Sequence, residues 1–370
     1  MIAFLGFMFA AAVANGPDAD AARELSNRAR KLYDSAQYAQ AEPLYRQAVS
    51  KWSKLGPQAT MERAIDLRNL GGVLRATGHY REAEPLLTEA LCDLEATDAD
   101  SVEVERALFN LASLYRSEGE LSKAESFGLN ALRLVDKRTD VSVAERHAPH
   151  VILASIYIEE KRFADAEALL KTALEGADGP IAATSYNLLS MVAISRANYA
   201  QAEQFAQESL RFAHLSLPTG SPVFAAAWNN LAQACRFQAK YMEAERNYRE
   251  AITAWENSLG PSHPFVAQGL MNMASFYHER GREAGAEDLY LRAVGILERA
   301  YGKEDPRTLE ARNELAEVLR AERRFTESEK LGRTTLTGLE RTLGKDDPRV
   351  IRAQSNFTRL QASRAVAEQQ

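Results

Sequence analysis

The sequence predicts an all-α solenoid of about eight helix-turn-helix units, with one further helix capping its C-terminal end. Three observations carry this. A mostly aromatic anchor recurs at Tyr38, Tyr80, Leu121, Phe163, Tyr199, Tyr241, Glu283 and Phe325, with gaps of 42, 41, 42, 36, 42, 42 and 42 residues. Three places after each anchor stands a small residue (Ala41, Ala83, Ala124, Ala166, Ala202, Ala244, Ala286 or Ser328), and a glutamate follows it every time, from Glu42 and Glu84 through to Glu329. Pro180, Pro222, Pro264, Pro306 and Pro348 repeat at 42 residues as well. Self-similarity at a fixed period marks stacked supersecondary units, none of which buries its apolar face alone.

Each unit resolves into two helices. Before the anchors, apolar and small residues fall at helical spacing, as in Leu70, Gly71 and Leu74, Leu111, Ala112 and Tyr115, or Met273, Ala274 and Tyr277; these are first helices. After the anchors, Ala41 and Tyr45, Ala83 and Leu87, Ala244 and Tyr248, and Ala286 and Tyr290 repeat with the same period and mark second helices. The small residues let backbones approach, so the aromatic stripe is core and not a cofactor box. In the connections, glycine ends one helix in the left-handed conformation, Asp or Ser caps the next, and proline sits in its first turn, where no amide donor is missed. The six residues missing between Phe163 and Pro180 predict a shortened second helix or loop in the fourth unit and a bend near 175–180.

Composition excludes several classes. The chain is 46% hydrophobic and 26% charged with a formal net charge of −6, a globular balance that gives nucleic acid no basic footprint. The two cysteines, Cys92 and Cys235, fall in distant units and read as two buried thiols rather than a bridge. His147 and His150 have no carboxylate or thiol at matching helical positions, and the six histidines read as surface or loop residues. The Gly-Lys pairs at Gly302 and Gly344 lack the rest of a phosphate loop, and no nucleophile or dinucleotide motif is present. No enzyme activity, cofactor or metal is expected.

Leu-Gly/Ala-x2-Tyr, the anchor, Ala-x3-Tyr/Leu and the helix-starting proline resemble the tetratricopeptide repeat, at a spacing longer than its usual 34 residues. Ser258 to Pro264, Asn229-Asn230-Leu231-Ala232 and Tyr80 to Leu86 are similar to the kinesin light chain type. The resemblance covers about residues 20–362, and Glu283 and Leu121 depart from it at their anchors. It implies a right-handed superhelical solenoid over 20–349, a capping helix and tail over 350–370, and a concave groove lined by first helices.

The residues 15, 12, 8 and 5 places before each anchor share one helical face and line that groove. In the first three units they include Arg23, Arg30, Arg68, Arg75, Arg106 and Arg116, and none is acidic. Units four and five give an apolar floor of Val151, Ile158, Met191 and Ile194. Asn187 lies among these, followed by Asn229, Gln233 and Arg236, and by Asn313 near the more acidic Glu310 and Glu317. Arginine grips carboxylates bidentately, so the groove suits an extended protein segment bearing acidic and bulky apolar side chains. The resemblance implies backbone contacts for Asn187, Asn229 and Asn313, whereas Asn69, Asn110, Asn230 and Asn272, one place later, would hold helices together. The arginines also fit a merely solvated face. The expected function is a non-catalytic adaptor, with a structural assembly factor of an envelope complex, working through its convex face, as the alternative.

Residues 1–14 read as a signal peptide. Ile2 to Ala14 is apolar but too short to span a bilayer, and Ala12-Val13-Ala14 offers small residues for cleavage, although no Lys or Arg precedes the run. Export to the periplasm or outside the cell follows, with a cytoplasmic or N-terminally anchored protein as the alternative. The native protein should therefore lack residues 1–14 by intact-mass measurement, and their retention in a cytosolic fraction would end the export reading.

Overall fold

The computed structural model describes residues 15–139, 141–177 and 179–368; the signal-peptide reading lies outside them. The described residues form seventeen α-helices and one 3-10 turn, Pro57–Ala59, with no strand. The first helices are α1 (Pro17–Asp34), α3 (Thr60–Ala76), α5 (Val102–Glu118), α7 (Val143–Glu159), α9 (Gly179–Ser195), α11 (Pro222–Phe237), α13 (Pro264–Glu279) and α15 (Pro306–Ala321). Their partners are α2 (Tyr38–Leu55), α4 (Tyr80–Asp98), α6 (Leu121–Asp136), α8 (Phe163–Ala173), α10 (Tyr199–Ser216), α12 (Tyr241–Leu259), α14 (Glu283–Tyr301) and α16 (Phe325–Leu343), and α17 (Pro348–Glu368) follows. Every second helix begins on its anchor residue. The six-residue deletion shortens α8 to 11 residues. Contacts divide the chain into two compact units, one ending at Phe224 and the other beginning at Ala225. Among the described residues no helix is long and apolar enough to cross a membrane.

The turn before each anchor has one conformation throughout. Ala36, Gly78, Gly119, Lys161, Ala197, Ala239, Gly281 and Arg323, each two places before an anchor, all have φ between 57° and 84°. Only three are glycine. The others hold a strained left-handed backbone because the packed helix pair on either side leaves no other path. The alanines three places after the anchors are fully buried, and Ser328, which replaces one of them, is 1% exposed and donates its hydroxyl to the Ala316 carbonyl at 2.7 Å. Gly71 is held by closer packing: a Cβ there would stand 2.5 Å from Leu87 Cγ. The longer connections follow the expected chemistry with one correction. Asp305 and Asp347 cap α15 and α17 by accepting from the Arg307 and Arg349 amides at 2.9 Å, but α13 is capped by His263 Nδ1, which accepts from the Phe265 amide at 3.1 Å. His263 is buried, not a surface residue.

In six of the eight repeats the glutamate after the small residue ties one helix pair to the next; Glu42 instead accepts from Arg46 on its own helix at 2.9 Å. Tyr115 donates to Glu84 at 2.9 Å, Arg162 to Glu125 at 2.9 Å and Arg196 to Glu167 at 2.8 Å within the first unit. Within the second, Glu245 accepts from Tyr277 and Arg282 at 2.8 Å each, Glu287 from Arg324 at 2.8 Å and Glu329 from Arg364 at 2.6 Å. Arg162 and Arg282 also lie over the Tyr157 and Tyr277 rings at 3.7 and 3.8 Å. Burial alone would raise the Glu245 carboxyl, but hydrogen bonds from Arg249, Tyr277 and Arg282 hold it below its usual value. The C-terminal helix is bound in the same way, with Val350 and Ala353 packed on Leu309 and Leu339.

Three outcomes follow from this packing. Ala239→Gly should raise the unfolding midpoint, because relief of about 1–2 kcal/mol of left-handed strain outweighs the entropy glycine adds to the unfolded chain. Gly71→Ala should lower stability by about 1–3 kcal/mol despite its better helix propensity. Equal effects in a denaturant titration would contradict the packing argument. Glu245→Gln should cost about 1–2 kcal/mol at neutral pH. Because the folded carboxyl is held down, its contribution is complete above the unfolded value near 4.3 and is lost as pH falls through the folded value. Wild type and Glu245→Gln should thus differ in stability above about pH 5 and converge in stronger acid; a gap unchanged at pH 3 would disprove the charged staple.

Candidate protein-binding face

The first helices of the first unit present a pocket of ≈ 270 Å³. It is lined by Arg30 from α1, Ile65, Arg68 and Gly72 from α3, and Arg106 and Phe109 from α5, six of the residues that helical spacing assigned to one face. Tyr45 reaches it from α2, behind the first helices. Beneath, Asp66 is 3% exposed and accepts from Trp52 Nε1 at 2.8 Å and from the Ser26 hydroxyl. Burial raises the Asp66 carboxyl, and the Ser26 and Trp52 hydrogen bonds oppose that shift.

The arginines are not the open array the sequence suggested. Arg68 is 6% exposed; its Nη1 meets Glu103 at 2.7 Å and its Nη2 donates to Asn69 at 2.9 Å. Burial pulls its basicity down, and Glu103 opposes this. Arg106 pairs with Glu103 at 3.0 Å and Glu145 at 3.1 Å, Arg116 with Glu159 at 2.6 Å, and Arg23 with Glu62 at 3.8 Å. Arg30 stands exposed, 3.9 Å from Asp34. Arg75 alone of the six meets no carboxylate among the described residues, and its buried Nε has no hydrogen-bond partner. The missed acids had a signal. Glu62, Glu103 and Glu145 each stand 18 places before an anchor, in phase with the repeat, and the pitch between neighbouring first helices brings them onto the preceding helix's arginines.

The remaining predicted residues divide. In the first unit Asn187 is buried at 8% exposure, Ile158 is buried, and Met191 and Ile194 are half-buried. In the second, Asn229 is 6% exposed and its Oδ1 accepts from Asn272 Nδ2 at 2.9 Å, so one of its two amide functions is committed to the next first helix. Gln233 is half-buried. Arg236 donates to Glu279 at 2.8 Å through Nε and to Ser275 at 2.9 Å, and Asn313 is buried at 4% exposure. The acidic Glu310 and Glu317 are met by Arg352 at 3.2 Å and Arg359 at 2.9 Å, so α17 pairs with α15 as another first helix would. The asparagines given a structural role also divide. Asn69 and Asn272 bond within the fold, whereas Asn110 lines the pocket.

Two further expectations are corrected. Cys92 is exposed and only Cys235 is buried, because the Cys92 side of α4 faces away from its neighbours. His147 is buried at 6% exposure with its ring 5.5 Å from His150, and burial holds its basicity below the usual histidine value.

Family models of the tetratricopeptide repeat match residues 146–213, 223–299 and 265–336, residues 107–142 and residues 67–97. No curated protein matches the sequence significantly. Among solved structures, a Rap protein complexed with competence and sporulation factor is 14% identical, with a TM-score of 0.60 over 96% of this chain and 100% of its own. Cut9 from the APC/C hetero-tetramer Cut9–Hcn1 is 12% identical, with a TM-score of 0.63 over 91% of this chain and 55% of that one. A STAND signal-transduction ATPase with a tetratricopeptide repeat sensor, from Pyrococcus horikoshii, is 15% identical, with a TM-score of 0.54 over 86% and 49%. At these identities the likeness is one of fold. With the repeat models spanning some two thirds of the residues and every second helix beginning on its anchor, the chain belongs to the tetratricopeptide repeat family.

Proposed function

We propose that the chain is a non-catalytic adaptor whose first-helix face in the unit ending at Phe224 binds an extended segment of a partner protein. The observation that carries this is the pocket itself. It opens on the face where a tetratricopeptide repeat presents its first helices, and Arg75 on the same helix as Ile65 and Gly72 lacks a carboxylate. The family supports a protein-binding role, and a Rap protein of this fold is known in complex with competence and sporulation factor. The paired arginines change the detail. A carboxylate on the ligand has to compete with Glu103, Glu145 or Glu159 at Arg68, Arg106 and Arg116 and with looser acids, Glu62 and Asp34, at Arg23 and Arg30, so acidic character in the partner is read chiefly at Arg75. The alternative, an assembly factor acting through second helices, draws little support from exposed Leu129, Leu215 and Leu291, which lie one to a helix, and its best footing is the exposed pair Tyr241 and Met242 at the start of α12.

The test is a panel of labelled acidic, neutral and basic peptides titrated against wild type, Arg75→Ala and Arg68→Ala. Acidic peptides should bind best, with affinity falling as salt rises, and Arg75→Ala should weaken them by roughly 1–3 kcal/mol. Arg68→Ala should act first on folding, at about 3–5 kcal/mol, because it leaves Glu103 uncompensated. Equal affinity across the panel, or an Arg75→Ala protein that binds like wild type, would overturn the proposal and favour assembly through the convex face.

A further inference from the structure

The pocket exists because one side chain is missing. Eight places before the anchor, later repeats carry Ser113, Ser155, Met191, Gln233, Ser275 or Glu317, and the second repeat carries Gly72. A Cβ at Gly72 would lie 3.5 Å from Asn110 Nδ2, an ordinary contact, so the glycine is not demanded by packing there. It leaves a cavity, and the groups around that cavity are specific. Tyr45 is 2% exposed, and its hydroxyl has no hydrogen-bond partner among the described residues; of the tyrosines at the same place in later repeats, Tyr290 is bonded by Ser275, whereas the Tyr248 hydroxyl is buried without a hydrogen bond and lines no such pocket. The half-buried Asn110 amide faces the same space and makes no hydrogen bond among the described residues. Both groups open on the pocket, where a ligand's donor or acceptor can reach them. Ile65 and Phe109 supply apolar walls.

The charges around the cavity are already spent on one another. Arg68 and Glu103 meet at 2.7 Å, Arg106 is held by Glu103 and Glu145, and Arg30 stands beside Asp34. A carboxylate entering here would meet Glu103 as well as the arginines, whereas an uncharged group meets open hydrogen-bonding functions and disturbs no ion pair. We infer that Gly72 creates a receptor for one uncharged side chain of the partner, with a flat apolar body and an amide or hydroxyl end, and that this pocket discriminates against the carboxylate of the same shape. The inference rests on the proposed binding face for the source of that group; the selectivity is a property of the pocket.

The test uses benzamide, benzoate and toluene as probes on the full chain, followed by ligand-observed NMR titration. Benzamide should saturate, with benzoate and toluene each at least about threefold weaker. Gly72→Leu fills the space and should reduce benzamide binding about tenfold, with no loss of melting temperature, because leucine is the better helix former. Tyr45→Phe keeps the shape, removes the open hydroxyl and should narrow the preference for benzamide over toluene. Benzoate binding as tightly as benzamide, no saturable benzamide binding, or a folded Gly72→Leu protein that binds like wild type would each overturn the inference. Should Gly72→Leu fail to fold, the Tyr45→Phe titration decides it in the same way. Failure of the peptide panel with benzamide still saturating would remove the proposed binding face and leave the pocket's selectivity standing.

Discussion

Within each compact unit, the glutamate four places after the anchor fixes how most helix pairs sit on the next. It projects from a second helix and receives the tyrosine hydroxyl or arginine of the following repeat, as Glu245 does from Tyr277 and Arg282. A solenoid has no long-range contacts to correct an error in stacking, so the relation between neighbours must be fixed locally at every step. Burial of alanine against alanine supplies adhesion without direction. The charged hydrogen bonds, with their defined lengths and the stacking of Arg162 and Arg282 on tyrosine rings, supply the direction.

The same logic is repeated on the first-helix face, with consequences for recognition. Arg68, Arg106 and Arg116 each find an acid on the next first helix, so the ion pairs that fix the stack occupy the cations that a ligand would otherwise use. The contribution of such pairs depends on burial. Arg68, nearly inaccessible, is a structural residue whose loss strands Glu103; Arg106, 44% exposed, is screened and more readily exchanged for a ligand carboxylate. Stability and specificity thus draw on one set of side chains; what remains for a ligand is Arg75 on the same face, outside the pocket, and Tyr45 and Asn110 within it.

The architecture was legible because its signal is repeated. Eight anchors in phase, each the first residue of a second helix, average out local departures such as Glu283, which pairs with His278 at 2.6 Å. The site was legible only in part. Helical spacing placed Arg30, Ile65, Arg68, Gly72, Arg106 and Phe109 on one pocket, but it says nothing about what stands opposite them on the next helix. The acids opposite, Glu62, Glu103, Glu145 and Glu159, were visible in the sequence and lay outside the four offsets taken as one face. The left-handed turn at Ala36, Lys161, Ala197, Ala239 and Arg323 was hidden for a different reason: residue type reports local preference, and there tertiary packing overrides it.

Repeat proteins diversify by substitution at fixed geometry, so function is best sought where one copy departs from the others without a packing reason. Gly71 and Gly72 illustrate the distinction. At Gly71 a Cβ would run into Leu87, and the absence of a side chain is a condition of folding. At Gly72, one residue on, there is room for one, and equivalent positions elsewhere carry serine, methionine, glutamine or glutamate. A glycine in a helix interior that packing does not require costs about 1 kcal/mol relative to alanine, so the fold gives up stability there to keep the space open. That space ends on a tyrosine hydroxyl and an amide that make no hydrogen bond among the described residues. The missing side chain and the two unmet hydrogen-bonding groups point to the same occupant, one that comes from outside the chain.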